Sequence, residues 1–215
     1  SDRAKAQKIL KTGEYDLVLS AESVPEVLSY YTARANAAMV FARYSDWKPG
    51  QDVQGAEDGE ALDLTLMPKA PYNDEGLPMR PLSLLEQGKL QGYFGQTRFC
   101  RYLGIEPTGN FGKFRCGNEG TESFEDMKKK PCLWAVSFSD FQMDYFSGHF
   151  GGEIRLAYLL DGEKAIPVTG GSVNGNLLEA QKHIRFSRER YVSAEYEGPY
   201  AVRIPSVAVA GSDGE

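Results

Sequence analysis

The chain has 215 residues, of which 41% are hydrophobic, 25% charged and 12% aromatic. That composition is globular, too apolar for intrinsic disorder, and the length suits one large domain whose core needs no disulfide or metal staple. Lys and Arg number 24 against 30 Asp and Glu, a formal net charge of −6. The two local basic clusters, Lys128–Lys130 and Arg185/Arg188/Arg190, read as solvated turns or strand edges, so no nucleic-acid track is expected. No apolar run is long enough for a membrane-spanning helix.

Residues 4–12 read as a short helix ending at Gly13, and Tyr15–Leu19 as a strand. Ser23-Val24-Pro25-Glu26 has the form of a capping box with Pro in the first turn. Behind it Val24, Val27, Leu28, Tyr31, Ala35, Ala38, Met39 and Ala42 recur at helical spacing, which predicts one amphipathic helix of about five turns. Residues 45–60 are polar and Gly-rich, a loop. Leu62–Leu66 alternates as a strand, and Leu82–Leu85 pairs with Leu90–Phe94 across Gln87-Gly88 as a hairpin. A short helix is expected over Gln96–Tyr102, closed by Gly104. A Gly-rich stretch covers 105–123, and one or two helical turns fall within Glu122–Lys130.

The last third reads as β. Strands are expected at Leu133–Phe138, Gly152–Leu160, Ala165–Thr169, Phe186–Ser193 and Ala201–Val209, with a tight turn at Asp161-Gly162 and a helix at Asn176–His183. No repeat or long linker divides the chain. The expected class is α+β: a β-rich C-terminal region with an antiparallel sheet or barrel, preceded by a strand and a long amphipathic helix, all in a single domain over 1–215.

Candidate chemistry is sparse. Cys100, Cys116 and Cys132 recur every 16 residues with no C-x-x-C pair and no His at ligand spacing, so they read as reduced, buried thiols of a cytoplasmic protein. Gly109–Gly112 and Gly148–Gly152 lack the following helix that a phosphate cradle needs, and read as turns and bulges. His149 lies beside Asp144 and Ser147, the one place where a nucleophile and its base could meet; His183 sits at a helix end, where a cation is favoured structurally. Asp74-Glu75 and Asp140 with Asp144 are the carboxylate pairs open to acid–base work. Phe138, Phe141, Tyr145, Phe146 and Phe150 form an aromatic tract that either fills the core or lines a contact surface.

A succession of short motifs then resembles the TldD/PmbA family, the modulator of DNA gyrase proteins. Asp74-Glu75-Gly76 followed by the hairpin through Gly88 is similar to the family's acidic turn and hairpin, and Pro107-Thr108-Gly109 to its "T-G" loop. Phe124-Glu125-Asp126-Met127 resembles a helix start, and Phe146-Ser147-Gly148-His149-Phe150 the "T-G-D-F/Y" turn. Asp161-Gly162, Pro167-Val168, Asn174-Gly175-Asn176-Leu177 and Pro205-Ser206 through Gly211 follow in the family's order. The evidence is this common order over residues 14–211.

The resemblance implies the C-terminal half of such a protein, with the N-terminal half absent; the first residue, Ser1 rather than Met, fits a piece of something longer. Metallopeptidase members carry H-E-x-x-x-H on a helix and a Cys near the C-terminus, a zinc site with Glu as base. Aligning the helix starts puts Tyr30, Tyr31 and Ala35 at the His, Glu and His positions. Val27–Tyr44 contains no His, Glu, Asp or Cys at all, and Ala194–Gly198, where the Cys would fall, has no thiol. The resemblance therefore implies a metal-free, PmbA-like member without cofactor. It would pair as a homodimer, or as a heterodimer with a metal-bearing relative, and bind a peptide. Tyr145, Phe146, Gly148, His149 and Phe150 are the candidate peptide-binding or interface residues. A hydrolase using Asp144, Ser147 and His149, or a purely oligomerising domain, are the other classes left open.

Overall fold

The computed structural model describes residues 10–212. The helix expected over residues 4–12 lies mostly outside them. In chain order the elements are β1 (Gly13–Ser20), α1 (Ser23–Arg34), α2 (Ala37–Phe41), β2 (Leu64–Met67), β3 (Leu82–Glu86), β4 (Lys89–Leu90), α3 (Thr97–Tyr102) and β5 (Lys113–Cys116). Then come α4 (Phe124–Lys129), β6 (Cys132–Met143), β7 (His149–Asp161), β8 (Lys164–Val168), β9 (Ser172–Asn176), α5 (Leu177–Ala180), β10 (Arg185–Phe186), β11 (Arg190–Val192), β12 (Tyr196–Pro199) and β13 (Ala201–Ala210).

Two sheets carry the molecule. In the first, β1-β6-β7-β9-β13 are hydrogen-bonded in that order and β13 pairs back onto β1, closing a five-stranded barrel; β8 hangs on β7 and β10 on β13. β1 is covered on both faces. Leu17 and Leu19 enter the main core, while Val18 enters a second cluster with Met127, Cys132, Leu160 and Ala201. This is why its sequence reads as a continuous apolar run rather than an alternation. The second sheet runs β11-β12-β5-β2-β3-β4. One apolar core joins Leu64, Leu85 and Tyr196 of this sheet to Ile154, Ile204 and Val207 of the barrel, and α1 contributes Val27, Leu28 and Tyr31 to it. Arg203, on β13, is buried with its charge met by Asp16 at 2.9 Å and by the Met127 and Pro131 carbonyls.

Several differences from the sequence reading stand out. The five-turn helix is two helices. Asn36 is extended (φ −67°, ψ 131°), its Oδ1 accepts from the Ala38 N–H at 2.9 Å, and the Ala37 N–H donates to the Phe94 carbonyl at 2.7 Å. A short amide that caps a new helix outcompetes continuation of the old one. Nor is the capping box formed: Glu22 is the N-cap residue and no side chain caps α1, because Ala21 (φ 53°) turns the chain directly out of β1.

β5, inside the Gly-rich stretch, and β12 are strands that patterning misses. They are short and pair with each other in parallel, and β5 also pairs with β2. The expected strand over 186–193 is β10 and β11, separated where Ser187 N–H and Oγ bond the Ala201 backbone. α5 is only Leu177–Ala180, shorter than expected. The hairpin across Gln87-Gly88 is present, with both residues at positive φ (49° and 78°), as a two-residue turn matching strand twist requires.

The polar 45–60 segment is a loop, but a pinned one. Buried Gln54 donates to the Glu60 and Gln181 carbonyls at 2.8 and 2.9 Å and accepts from the Leu62 N–H at 2.7 Å.

Candidate functional site

α1 has two faces, and the sequence settles which is which. Its apolar stripe turns Tyr30, Tyr31 and Ala35 inward, all essentially inaccessible to solvent. Tyr30 meets Tyr31 edge-on at 5.4 Å and Trp47 at 5.8 Å. The Tyr31 hydroxyl donates to Gln181 Oε1 at 2.7 Å, and burial holds its pKa well above the ordinary tyrosine value. Arg34, also buried, lies over the Tyr30 and Trp47 rings and donates to the Tyr44 carbonyl at 2.5 Å. The three positions aligned with the two His ligands and the Glu base are therefore core positions, shut off from solvent.

The flank next to this stripe lines a groove of about 360 Å³. Thr32, Ala33 and Asn36 form one wall, Asn110 to Phe114 another, and Glu195 reaches in from the segment leading to β12. Asn36 Nδ2 donates to Asn110 Oδ1 at 3.3 Å, Thr32 Oγ1 to the Ser29 carbonyl at 2.9 Å, and Lys113 pairs with Glu197 at 3.9 Å. So the helix and the 194–198 segment do meet at one groove, but at Thr32, Asn36 and Glu195. A hydroxyl, two amides, an ammonium and one carboxylate do not fit Zn²⁺, which takes thiolate, imidazole and carboxylate ligands in a four-fold shell. Among the described residues no three His, Cys, Asp or Glu side chains are gathered closely enough to hold a metal ion.

The tract from Tyr145 to Phe150 surrounds the turn between β6 and β7. Asp144 organises it: its Oδ1 accepts from the Phe146 N–H and its Oδ2 from the Ser147 hydroxyl, both at 2.8 Å, and these bonds lower its pKa. Ser147 Oγ in turn accepts from the His149 backbone N–H at 3.2 Å. The hydroxyl is thus spent on Asp144, not on the His149 ring, and the three residues make a turn rather than a nucleophile–base pair.

The five candidate residues divide. Phe150 is fully buried, with its ring over Gly175, where a Cβ would come within 2.1 Å of it. Tyr145 is half-buried, its hydroxyl 3.2 Å from Ser29 Oγ. Gly148 takes the turn's positive φ of 78°. Phe146 is 61% exposed and meets exposed Tyr44 edge-on at 5.1 Å. His149 opens onto a cleft of about 500 Å³ with Asp140, Asp144, Glu153 and Asn174, which Tyr145, Phe146 and Phe150 do not line.

The remaining candidates are structural. Asp74 and Glu75 sit in a turn where Asn73 Oδ1 accepts from the Glu75 and Leu77 N–H groups at 2.9 Å. The His183 ring bonds Asp58, clasping the pinned loop. All three cysteines are buried, and burial pushes the Cys116 thiol up to about 12, far from thiolate reactivity. What sequence reasoning missed is the Thr32/Asn36 pair: two polar residues four apart, beside the apolar stripe, were its only signal.

Comparison with known proteins agrees with this architecture. A family description, the PmbA/TldA metallopeptidase C-terminal domain, matches residues 12–211. A curated relative, a metalloprotease TldD homolog of Haemophilus influenzae, is 28% identical over 52% of this chain and 26% of its own length. Among solved structures, a protein described as a modulator of DNA gyrase from Bacteroides thetaiotaomicron superposes with a TM-score of 0.81 at 19% identity, covering 97% of this chain and 49% of that one. TldE from Thermococcus kodakarensis gives 0.78 at 18% identity, covering 94% and 51%. The chain spans about half the length of these structural neighbours and about a quarter of the curated relative.

Proposed function

The chain belongs to the PmbA/TldA metallopeptidase family, and on that premise we propose that it is a non-catalytic member that binds peptide and pairs with a second subunit. The observation that carries this reading is the groove between α1 and the segment before β12, whose polar residues are Thr32, Asn36, Asn110, Lys113 and Glu195. None of the imidazoles or thiols that a zinc peptidase needs stands there. A groove of this kind can hold a polypeptide without cutting it.

The second subunit is a metal-bearing relative or another copy of this chain, and the exposed Tyr44–Phe146 pair, with Tyr145 and His149 on the same turn, is the contact we assign to it. Aromatics suit such a role because they bury large area with few rotors. Three buried thiols accord with a cytoplasmic setting. Among the described residues no helix is long and apolar enough to cross a membrane.

The test is a peptidase assay on an unfolded casein fragment, run with this chain alone, with a metal-bearing relative alone, and with both. We expect no chelator-sensitive cleavage from this chain alone, and a mixed species by light scattering whose cleavage differs from the relative's own. Chelator-sensitive cleavage by this chain alone overturns the reading.

A further inference from the structure

The Gly109–Gly112 segment lacks the following helix of a phosphate cradle, yet it runs along one wall of the groove beside α1. Gly109 makes its turn: φ is 79°, and a Cβ there would come within 2.8 Å of Asn73 and Met79. The segment then enters β5, which pairs antiparallel with β2 out to Met67 opposite Lys113. Lys69, two residues past that pair, comes back across the bare backbone of Gly112. Its Cε lies 3.1 Å and its Nζ 3.4 Å from the point where a Cβ on Gly112 would stand. Lys69 has no ion pair among the described residues, and Lys113 has only Glu197 at 3.9 Å. Two lysines with little or no counter-charge thus adjoin Gly112.

Asn110 adds a donor whose orientation a chain of bonds fixes. Asn36 Oδ1 accepts from the Ala38 N–H at 2.9 Å, so its Nδ2 is the atom that donates to Asn110 Oδ1, at 3.3 Å. Reversing either amide would set like groups against each other. Exposed Asn110 therefore keeps its Nδ2 hydrogens, which have no partner among the described residues, for a ligand. Phe111, edge-on to Phe94 at 6.0 Å, gives the same groove an apolar surface. Glu195 is the one carboxylate lining it, exposed and without a side-chain partner among the described residues. Its charge decides which anion fits. A phosphate's two charges are repelled more than a carboxylate's one, and the apolar surface favours a carboxylate attached to an apolar side chain. The C-terminus of a peptide is such a group.

We propose that the groove holds a peptide by its C-terminal carboxylate, against Asn110 Nδ2, Lys113 and Lys69, with an apolar last side chain on Phe111. This rests on the peptide-binding reading of the groove and deepens it: the free end of a chain, rather than an internal stretch, is what the groove recognises.

The experiment uses the whole chain and fluorescence anisotropy with a fluorescein-labelled Gly-Lys-Phe tripeptide, as the free acid and as the C-terminal amide. The acid should bind at least about tenfold more tightly than the amide. In Lys69→Met/Lys113→Met that preference should disappear, the acid weakening and the amide holding its affinity. Asn110→Asp keeps the acceptor that faces Asn36 and replaces the free donor by a charge, so it should lose the acid and spare the amide. It carries the same test alone if the double lysine variant does not fold. N-acetyl-phenylalanine should displace the labelled acid more effectively than inorganic phosphate does. Equal binding of acid and amide, or a preference that survives both variants, overturns end capture while peptide binding stands. Stronger displacement by phosphate overturns it too, making the segment a general anion site. If neither peptide binds, with or without a metal-bearing relative, both readings fall.

Discussion

Inward, α1 offers Tyr30, Tyr31 and Ala35 to a core that admits no solvent; outward, one residue further round, Thr32, Ala33 and Asn36 face an open groove. The inward side is held by dense contacts: two tyrosines against Trp47, a hydroxyl bonded to Gln181, and a guanidinium laid over the rings. The outward side is held by a few polar contacts, Thr32 Oγ1 to the Ser29 carbonyl and Asn36 Nδ2 to Asn110 Oδ1. The same helix thus holds the fold together with one face and leaves the other free for binding. Apolar periodicity identifies the first face and, by the same token, marks the residues least able to act as ligands.

The widest gap between the faces should appear on removing Tyr31. Tyr31→Ala empties a fully buried site and leaves Gln181 without its donor, so it should cost about 3–5 kcal/mol in urea unfolding. Thr32→Ala, its neighbour on the groove face, should stay within about 0.5 kcal/mol. Equal losses would erase the distinction.

Ala35→His sharpens the same point. Putting an imidazole into a position with no accessible surface should destabilise by about 2–4 kcal/mol, with no zinc-dependent recovery of the melting temperature. Zinc-dependent recovery would mean that this face of the helix does open to a metal.

The aromatic tract divides in the same way. Phe146→Asp should fold with a change within about 0.5 kcal/mol, because Phe146 is largely exposed, whereas Phe150→Asp should fail to fold. Light scattering on the folded Phe146→Asp protein should show any self-association of the wild type weakened; unchanged association would remove Phe146 from the contact.

The smallest effect concerns Glu60 in the pinned loop. Burial raises its pKa above the unfolded value, while its carboxylate accepts from the Phe186 N–H at 2.5 Å. The folded state then binds the Glu60 proton more readily than the unfolded chain. Its contribution is full below the unfolded pKa and declines as pH rises through the folded one. Glu60→Gln should therefore lose less stability than the wild type as pH rises through that window, read as urea midpoints. Parallel pH profiles would contradict the shift.

Much of the fold was legible because strong local signals agree with the tertiary structure. Leu17–Leu19, the Gln87-Gly88 hairpin and the final strand over Ala201–Val209 all form as read. The helix break at Asn36 was not, because it depends on a distant partner, Phe94. β5 and β12 were hidden for the same reason: each is short, and each is made a strand by its neighbours. The site was less legible still. The Asp144/Ser147/His149 grouping was adjacent in sequence and turned out to be a turn's own hydrogen bonding, whereas Thr32, Asn110 and Glu195 are far apart in sequence and share a groove.

The central claim is that this member of the family has no metal centre of its own, and zinc content tests it most directly. The purified chain, dialysed against excess Zn²⁺ at neutral pH and then against metal-free buffer, should retain far less than one zinc per chain by elemental analysis, and its melting temperature should be indifferent to chelator. Retention of about one tightly held zinc per chain, with melting that falls on chelation, would contradict the account.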